Sequence, residues 1–173
     1  MENPAPTKGY SQLSADMLKT DEGQTNAVFA CFGSAAQQAQ MFEDGLTKFL
    51  ATYNVASSES VTLEDLESLK VKLNKFTMGS LIVNLEKLVK FNTTFVPDTF
   101  NQVLKDRNFL MHHFFLERAP ELATTEGRME LLSELIAIEG RLELARVMID
   151  AIRVALCEAM NIGAEYPHRK ILS

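Results

Sequence analysis

Two long runs of apolar residues, spaced alternately three and four apart, constrain this chain more than any other feature. The first extends from Val28 to Tyr53 and the second from Leu135 to Ala159. This spacing places all members of a run on one face of an α-helix, because the helix turns once every ~3.6 residues. The pattern therefore predicts helices over about 26–53 and 124–161, each with one buried face.

Shorter helices are predicted between these two. A leucine repeat indicates a helix over 63–76, which Gly79 interrupts before a shorter piece follows. A third helix is predicted over about 97–118, since Pro97 suits a first helical turn and Pro120 prevents continuation. No alternating strand pattern is present. We expect an all-α fold, an antiparallel bundle of four to five helices.

The distribution of polar residues predicts three parts. Residues 1–25 are polar and contain Pro4, Pro6, Gly9 and Gly23, which favours a flexible N-terminal arm. Residues 26–162 form the predicted helical bundle domain. Residues 163–173 form a C-terminal tail with the compact basic cluster His168-Arg169-Lys170.

Composition narrows the class of protein. The net charge of −6 argues against a broad electrostatic nucleic-acid binder, although a small positive site is compatible with it. No apolar run approaches the ~20 residues of a membrane span, so no membrane partner is expected. The two cysteines, Cys31 and Cys157, are interpreted as free buried thiols in a reducing compartment. These features predict a cytoplasmic protein.

The segment DRNFLMHHFF, residues 106–115, departs from plain amphipathic helix. On a helical wheel Arg107 falls near the middle of the apolar face. A charge there requires a partner or a cleft, because burial of an unpaired cation is costly. That face is formed by Phe100, Val103, Leu104, Leu110, Met111 and Phe114.

Polar and apolar neighbours of Arg107 suggest a site at an interface. Asn108 and His112 are four residues apart, so they lie one above the other beside Arg107. Phe109 and Leu116 are seven apart on the other side and predict a second covered surface. The simplest cover is the same helix of a second copy, which gives a homodimer with the polar residues at its groove.

The run Arg107-Asn108-Phe109-Leu110-Met111-His112 resembles the Arg-Asn-x-x-x-His motif of the HEPN superfamily. Members are small helical bundles, often dimeric, and many are metal-independent ribonucleases of toxin–antitoxin, anti-phage or RNA-processing systems. The resemblance covers the motif and the helical layout of about 26–161. It implies an RNA substrate, no cofactor, and an antitoxin or another protein as a possible partner.

The resemblance also implies roles for single residues. His112 matches the catalytic histidine, whose side chain exchanges protons near neutral pH. Arg107 matches the residue that holds phosphate and stabilises developing charge, and Asn108 matches the polar residue that orients the others. Lys105 and Arg118 are candidate RNA contacts.

Other chemistries are not indicated. Three histidines and two distant cysteines offer no zinc-ligand spacing, and neither a Gly-rich phosphate loop nor a Gly-x-Ser-x-Gly elbow occurs. The alternative function is a non-catalytic helical dimer that acts as a protein-interaction or regulatory module. In that case Arg107 pairs with a carboxylate of the last helix, and His112 caps the interface.

Overall fold

The computed structural model describes residues 17–57, 68–69, 71–73 and 75–160. This part of the chain is all-α and contains no strand. The principal helices are α1 (Asp21–Ala56), α2 (Met78–Leu88), α3 (Phe95–His112), the short α4 (Phe114–Glu117) and α5 (Thr125–Ala159). Short 3-10 helices span Met17–Lys19 and Pro120–Ala123.

Several predicted segments fall partly outside this description. Residues 68–69 and 71–73 are helical, as the leucine repeat predicted, but the start of that helix lies outside the described residues. The same holds for residues 1–16 of the expected arm and for the whole expected tail.

Threonine caps begin both long helices. Thr20 Oγ1 accepts a hydrogen bond from the Gly23 amide at 3.1 Å, and Thr124 Oγ1 accepts one from the Gly127 amide at 3.1 Å. Each satisfies a backbone N–H that has no partner within its helix. α1 therefore starts at Asp21, five residues earlier than the apolar run predicted, because its first turn is polar and the period is not visible there.

The core lies where the two long helices meet. Most residues of their apolar runs are buried or half-buried, and together with residues of α2 and α3 they form one continuous hydrophobic cluster. Ala159, at the end of the second run, is exposed. Ser34 Oγ of α1 donates to Glu139 Oε1 of α5 at 2.5 Å. Further along, a Cβ on Gly45 would lie 2.8 Å from Ile149 Cγ2, so glycine permits close approach there. Since both contacts advance along both helices, α1 and α5 run parallel.

Helix α3 runs antiparallel to both of its long neighbours. Against α1, the Phe100 ring packs on Phe42 with centroids 5.1 Å apart, and Phe114 beyond the end of α3 packs on Phe32 at 5.6 Å. These two contacts run in opposite directions along α3 and α1. The first and last helices themselves point the same way.

The predicted helix over 97–118 is broken at His113. The backbone there has φ −127° and ψ −32°, which ends α3 and starts the single turn of α4. The two phenylalanines that follow the break fold back onto α1, and the Phe115 ring lies 4.7 Å from that of Phe32. The break thus coincides with the point where the chain docks its aromatic residues.

A buried arginine joins the N-terminal ends of the two long helices. Arg128 is only 3% exposed. Its guanidinium donates to Gln24 Oε1 and to the Leu122 carbonyl, both at 2.9 Å, and pairs with the Asp21 carboxylate. A further contact reaches Thr125 Oγ1 at 3.3 Å. We call Arg128 and these four partners the Arg128 clamp.

A close backbone crossing lies beside this clamp. A Cβ on Gly127 would lie 2.7 Å from Glu121 Cα, and closer still to the Glu121 carbonyl oxygen. Real Cβ atoms do not approach backbone so closely, so only glycine fits here. Gly127 therefore lets the 3-10 turn Pro120–Ala123 lie directly against the start of α5.

Candidate functional site

The buried face of α3 differs from the one that the helical wheel predicted. Leu110 is buried, as expected, but Met111 is exposed, and the charged residue among the buried ones is Asp106 rather than Arg107. The expectation that Arg107 lies near the middle of the apolar face was wrong. Arg107 lies at the edge of that face, with its side chain 29% exposed.

Asp106 can be buried because an arginine of α5 neutralises it. Arg141 Nε donates to Asp106 Oδ2 at 2.7 Å, and Arg141 Nη2 donates to Oδ1 at 3.1 Å. The Gln102 amide adds a third hydrogen bond at 3.0 Å. The bidentate geometry and the bond to Asp106 raise the pKa of Arg141 above its ordinary value. This pair fixes the rotation of α3 against α5, and hence the direction in which Arg107 points.

The structure brings Arg107 and Asn108 into contact. Arg107 Nη1 donates to Asn108 Oδ1 at 3.4 Å, which is a long hydrogen bond. Arg107 Nη2 lies 3.9 Å from Glu43 Oε2 of α1, at the limit of an ion pair. Both contacts are loose, and a guanidinium carries five N–H donors. The arrangement therefore leaves hydrogen-bonding capacity at the surface.

The two histidines lie at the end of α3. His112 is exposed and His113 lies beside it, with ring centroids 6.3 Å apart at a steep angle. His113 Nδ1 is 3.3 Å from Glu117 Oε1. His112 follows Asn108 by four residues within one helix, so both extend from the same side of α3. The neighbouring His113 belongs to the helix break.

The two predicted RNA-contact residues differ in their surroundings. Lys105 is exposed on α3. Arg118 forms two hydrogen bonds with the Glu134 carboxylate, each at 3.1 Å, and lies 3.7 Å from Glu121. The bond to Glu134 raises the pKa of Arg118 above its ordinary value. The non-catalytic alternative predicted a salt bridge between Arg107 and a carboxylate of the last helix. In the structure Arg118 forms that kind of salt bridge, with Glu134.

The two residues of the predicted dimer surface are separated by the helix break. Phe109 is half-buried, packs edge-on against Phe114 at 5.7 Å, and lies 5.6 Å beneath the Arg118 guanidinium. Leu116 is 82% exposed on α4. Phe109 is therefore held largely by its own chain, and Leu116 is the more accessible of the two.

Neither thiol is placed for surface chemistry. Cys31 and Cys157 are free and buried. Burial raises the pKa of the Cys31 thiol, and the nearby Glu139 carboxylate raises it further. Cys31 therefore stays protonated near neutral pH.

The residues that the structure describes show neither a metal-binding cluster nor a membrane-spanning helix. They contain no group of three or more His, Cys, Asp or Glu side chains arranged to hold a metal ion. Among the same residues, no helix combines the length and the apolar character that crossing a membrane requires.

Comparisons with known proteins do not place this chain in a family. No family model, no curated protein and no solved structure matches it.

Sequence reasoning missed the partners of the charged residues on α3. The spacing of Asp106 to Leu110 is compatible with a core position, but an acidic side chain does not by itself indicate burial. Arg107 contacts Glu43 of α1, and Asp106 is bound by Arg141 of α5. No local signal shows these partners, since they belong to other helices.

Proposed function

We propose that this chain is a HEPN-like, metal-independent endoribonuclease of the cytoplasm. Arg107, Asn108 and His112 form its site, at a groove between two copies. The observation that carries the proposal is the exposure of His112 on the same side of α3 as a loosely bound Arg107–Asn108 pair.

The proposed reaction is attack of an RNA 2′-hydroxyl on the adjacent phosphodiester. His112 accepts the hydroxyl proton as the new P–O bond forms. Arg107 donates hydrogen bonds to the non-bridging oxygens, where negative charge accumulates. The bond to the 5′ oxygen then breaks, and that oxygen takes a proton from a protonated histidine, such as the partner's His112. The products are a 2′,3′-cyclic phosphate and a 5′-hydroxyl.

Asn108 and Glu43 would control Arg107 in this reaction. Asn108 accepts from one end of the guanidinium, and Glu43 lies near the other at 3.9 Å. A phosphate competes well with so distant a carboxylate, because charge-assisted bonds to an anion are short and often bidentate. Substrate binding is therefore expected to displace Glu43 from Arg107.

The electrostatics favour a structured or delivered RNA. The chain carries a net charge of −6, and Arg118 is already neutralised by Glu134. Few positive charges thus remain for phosphates outside the site, which lowers affinity for arbitrary RNA. A folded target RNA, or an antitoxin-type protein partner, would supply the missing contacts.

The decisive experiment compares three proteins on total RNA in the presence of EDTA. The wild type should cleave and leave 2′,3′-cyclic phosphate ends. His112→Ala should lose at least a hundredfold in rate, as expected for loss of a general base. His113→Ala is the matched control, since it removes the adjacent exposed histidine, and it should cleave like the wild type.

Two results would contradict the proposal. Equal cleavage by the wild type and His112→Ala would assign the activity to a contaminant or to another site. Absence of cleavage in both, with folded helices by circular dichroism and with RNA from the source cell, would favour the second candidate.

The second candidate is the non-catalytic interaction module. The pairing of Arg118 with Glu134 favours it, because it removes one of the predicted RNA contacts. This candidate predicts that Leu116→Glu disrupts a protein complex, whereas His112→Ala leaves that complex intact.

A further inference from the structure

Helix α5 has a second apolar face, directly opposite the face that joins the core. The core face contains Leu131, Leu135, Leu142 and Ile149, all buried. The opposite face has its own spacing of three and four residues and includes no charged side chain. We call it the outer strip; its members, all exposed, are Met129, Ser133, Ile136, Gly140, Leu144, Val147, Ala151 and Val154.

The exposure of the outer strip is unusual for a solvated helix face. Ile136 is 52% exposed and Val147 is 51% exposed, near the middle of the strip. Single exposed apolar residues need no explanation, but a continuous uncharged face marks an interaction surface. The strip spans about 38 Å from Met129 to Val154, at ~1.5 Å per residue.

Gly140 provides a separate observation. A Cβ placed on it meets no heavy atom within 4 Å, so packing inside the described part of the chain does not require glycine. Glycine is nevertheless disfavoured in the interior of a helix. This is the reverse of Gly127 and Gly45, where neighbouring atoms exclude a side chain. A close neighbour from outside the chain would account for Gly140.

The strip is complementary to itself in the antiparallel direction. We place a two-fold axis at the level of residues 141 and 142 along α5. Across this axis large side chains of one copy face large side chains of the other, and a large side chain faces Gly140. The facing positions are Met129 with Val154, Ile136 with Val147, Leu144 with Gly140, and Ala151 with Ser133. In a parallel pair Gly140 would face Gly140 and leave a gap. Antiparallel pairing also sets the positive end of each helix dipole beside the negative end of the other.

The surface near the axis extends beyond α5. Leu144 and Arg141 line an open groove of about 650 Å³ together with the exposed Phe95 at the start of α3. Two helices in contact over about 38 Å, each about 10 Å wide, give a footprint of roughly 400 Å² per copy. The smallest specific interfaces bury ~600 Å² per partner, so pairing would also have to cover the groove that Phe95 lines.

We propose that two copies of this chain pair antiparallel through the outer strip of α5. This surface is separate from Leu116 on α4 and from the groove that the proposed ribonuclease site requires. The inference does not rest on that function, and both pairings together would give an assembly larger than a dimer. Pairing removes the exposed apolar face from water and uses Gly140 for close contact between the two helices.

Mixed disulfide trapping tests both the surface and the direction. Ile136→Cys and Val147→Cys proteins are mixed in equal amounts, oxidised, and run on a denaturing gel without reductant. The mixture should give a cross-linked dimer, because the two positions face each other. Each protein alone should not, since identical positions would be about 16 Å apart along the axis. The wild type, whose own cysteines are buried, is the blank.

Mass in solution tests the same surface without cross-linking. By sedimentation at micromolar concentration the wild type should be a dimer, or a larger assembly if a second pairing forms at the proposed ribonuclease groove. Val147→Glu should weaken dimerisation at least a hundredfold, because it buries a charge at the centre of the strip. Val83→Glu, at a similarly exposed valine of α2, is the matched control and should remain dimeric.

Each alternative result overturns the inference. A monomeric wild type, or a cross-link in either single-cysteine protein alone, would exclude antiparallel pairing at this strip. A dimer lost in Leu116→Glu but kept in Val147→Glu would assign dimerisation to α4. If the protein is a monomer and a cysteine introduced by Val147→Cys resists alkylation, another segment of the same chain covers the strip.

Discussion

Arg128 at the start of α5 and Arg107 near the end of α3 carry the same side chain in opposite surroundings. Arg128 is buried, and its guanidinium contacts four partners on α1, α5 and the turn between α4 and α5. Arg107 is partly exposed, with one long hydrogen bond and one ion pair at 3.9 Å. An arginine whose donors are satisfied by its own chain holds helices together. One with loose contacts keeps donors for a ligand.

The two regions should therefore respond differently to mutation. The Arg128 clamp and its backbone crossing should contribute mainly to the free energy of unfolding. The Arg107 region, with its loose contacts, should contribute little to the free energy of unfolding. The Asp106–Arg141 pair should make an intermediate contribution to the free energy of unfolding, because Asp106 is buried and Arg141 is partly exposed.

The largest effect on stability is expected at the crossing beside the clamp. Gly127→Ala would force the backbone of Glu121 to move and should lower the free energy of unfolding by about 3 kcal/mol. Gly33→Ala in α1 is the control, because a Cβ there meets no atom within 4 Å. It should raise stability by about 0.5–1 kcal/mol, as alanine suits a helix better. Urea unfolding measures the free energy of unfolding of both variants. Equal values would show that the backbone at Gly127 does not exclude a side chain.

Exchanging each arginine for methionine compares the two regions directly. Arg128→Met should cost about 2–3 kcal/mol, because it leaves the buried Gln24 amide oxygen and the Leu122 carbonyl without their donor. Arg107→Met should cost less than about 0.5 kcal/mol, as for other loose surface pairs. Chemical denaturation of both variants provides the measurement. A larger cost at Arg107 would mean that it is structural.

The Asp106–Arg141 pair should show an intermediate and asymmetric effect. Arg141→Met leaves a buried carboxylate without its cation and should cost about 2 kcal/mol. Asp106→Ala should cost about 1 kcal/mol, because Arg141, with 42% of its side chain exposed, can be rehydrated. Thermal unfolding of the two variants at neutral pH would reveal the difference. The reverse order would show that Arg141 is the more buried partner in solution.

The apolar periodicity was sufficient to predict the helical class and most of the core. The all-α fold is confirmed for the described residues, and the runs on α1 and α5 are largely buried as predicted, except at Ala159, which is exposed. Both follow from local repeats of one side-chain property, which a single sequence displays directly. The relative direction of α1 and α5 was not visible, because it depends on contacts between distant residues.

The orientation of α3 was beyond local reasoning for a physical reason. From Val103 to Leu110 the helical spacing accommodates either Asp106 or Arg107 on the buried face. The choice depends on Arg141, which lies 35 residues further along the chain. The break at His113 could not be predicted either, because no proline or glycine lies there. It coincides with the packing of Phe115 on Phe32 of another helix. The functional roles of Arg107, Asn108 and His112 stay predictions until they are tested by cleavage.

The burial of both cysteines has a practical consequence for work on this protein. A thiolate, rather than a thiol, reacts with maleimides and iodoacetamides, and Cys31 is both inaccessible and kept protonated. Fluorophores or spin labels should therefore attach selectively to a cysteine introduced at the surface. Distances between chosen positions on α3 and α5 can then be followed during unfolding without first replacing the native thiols.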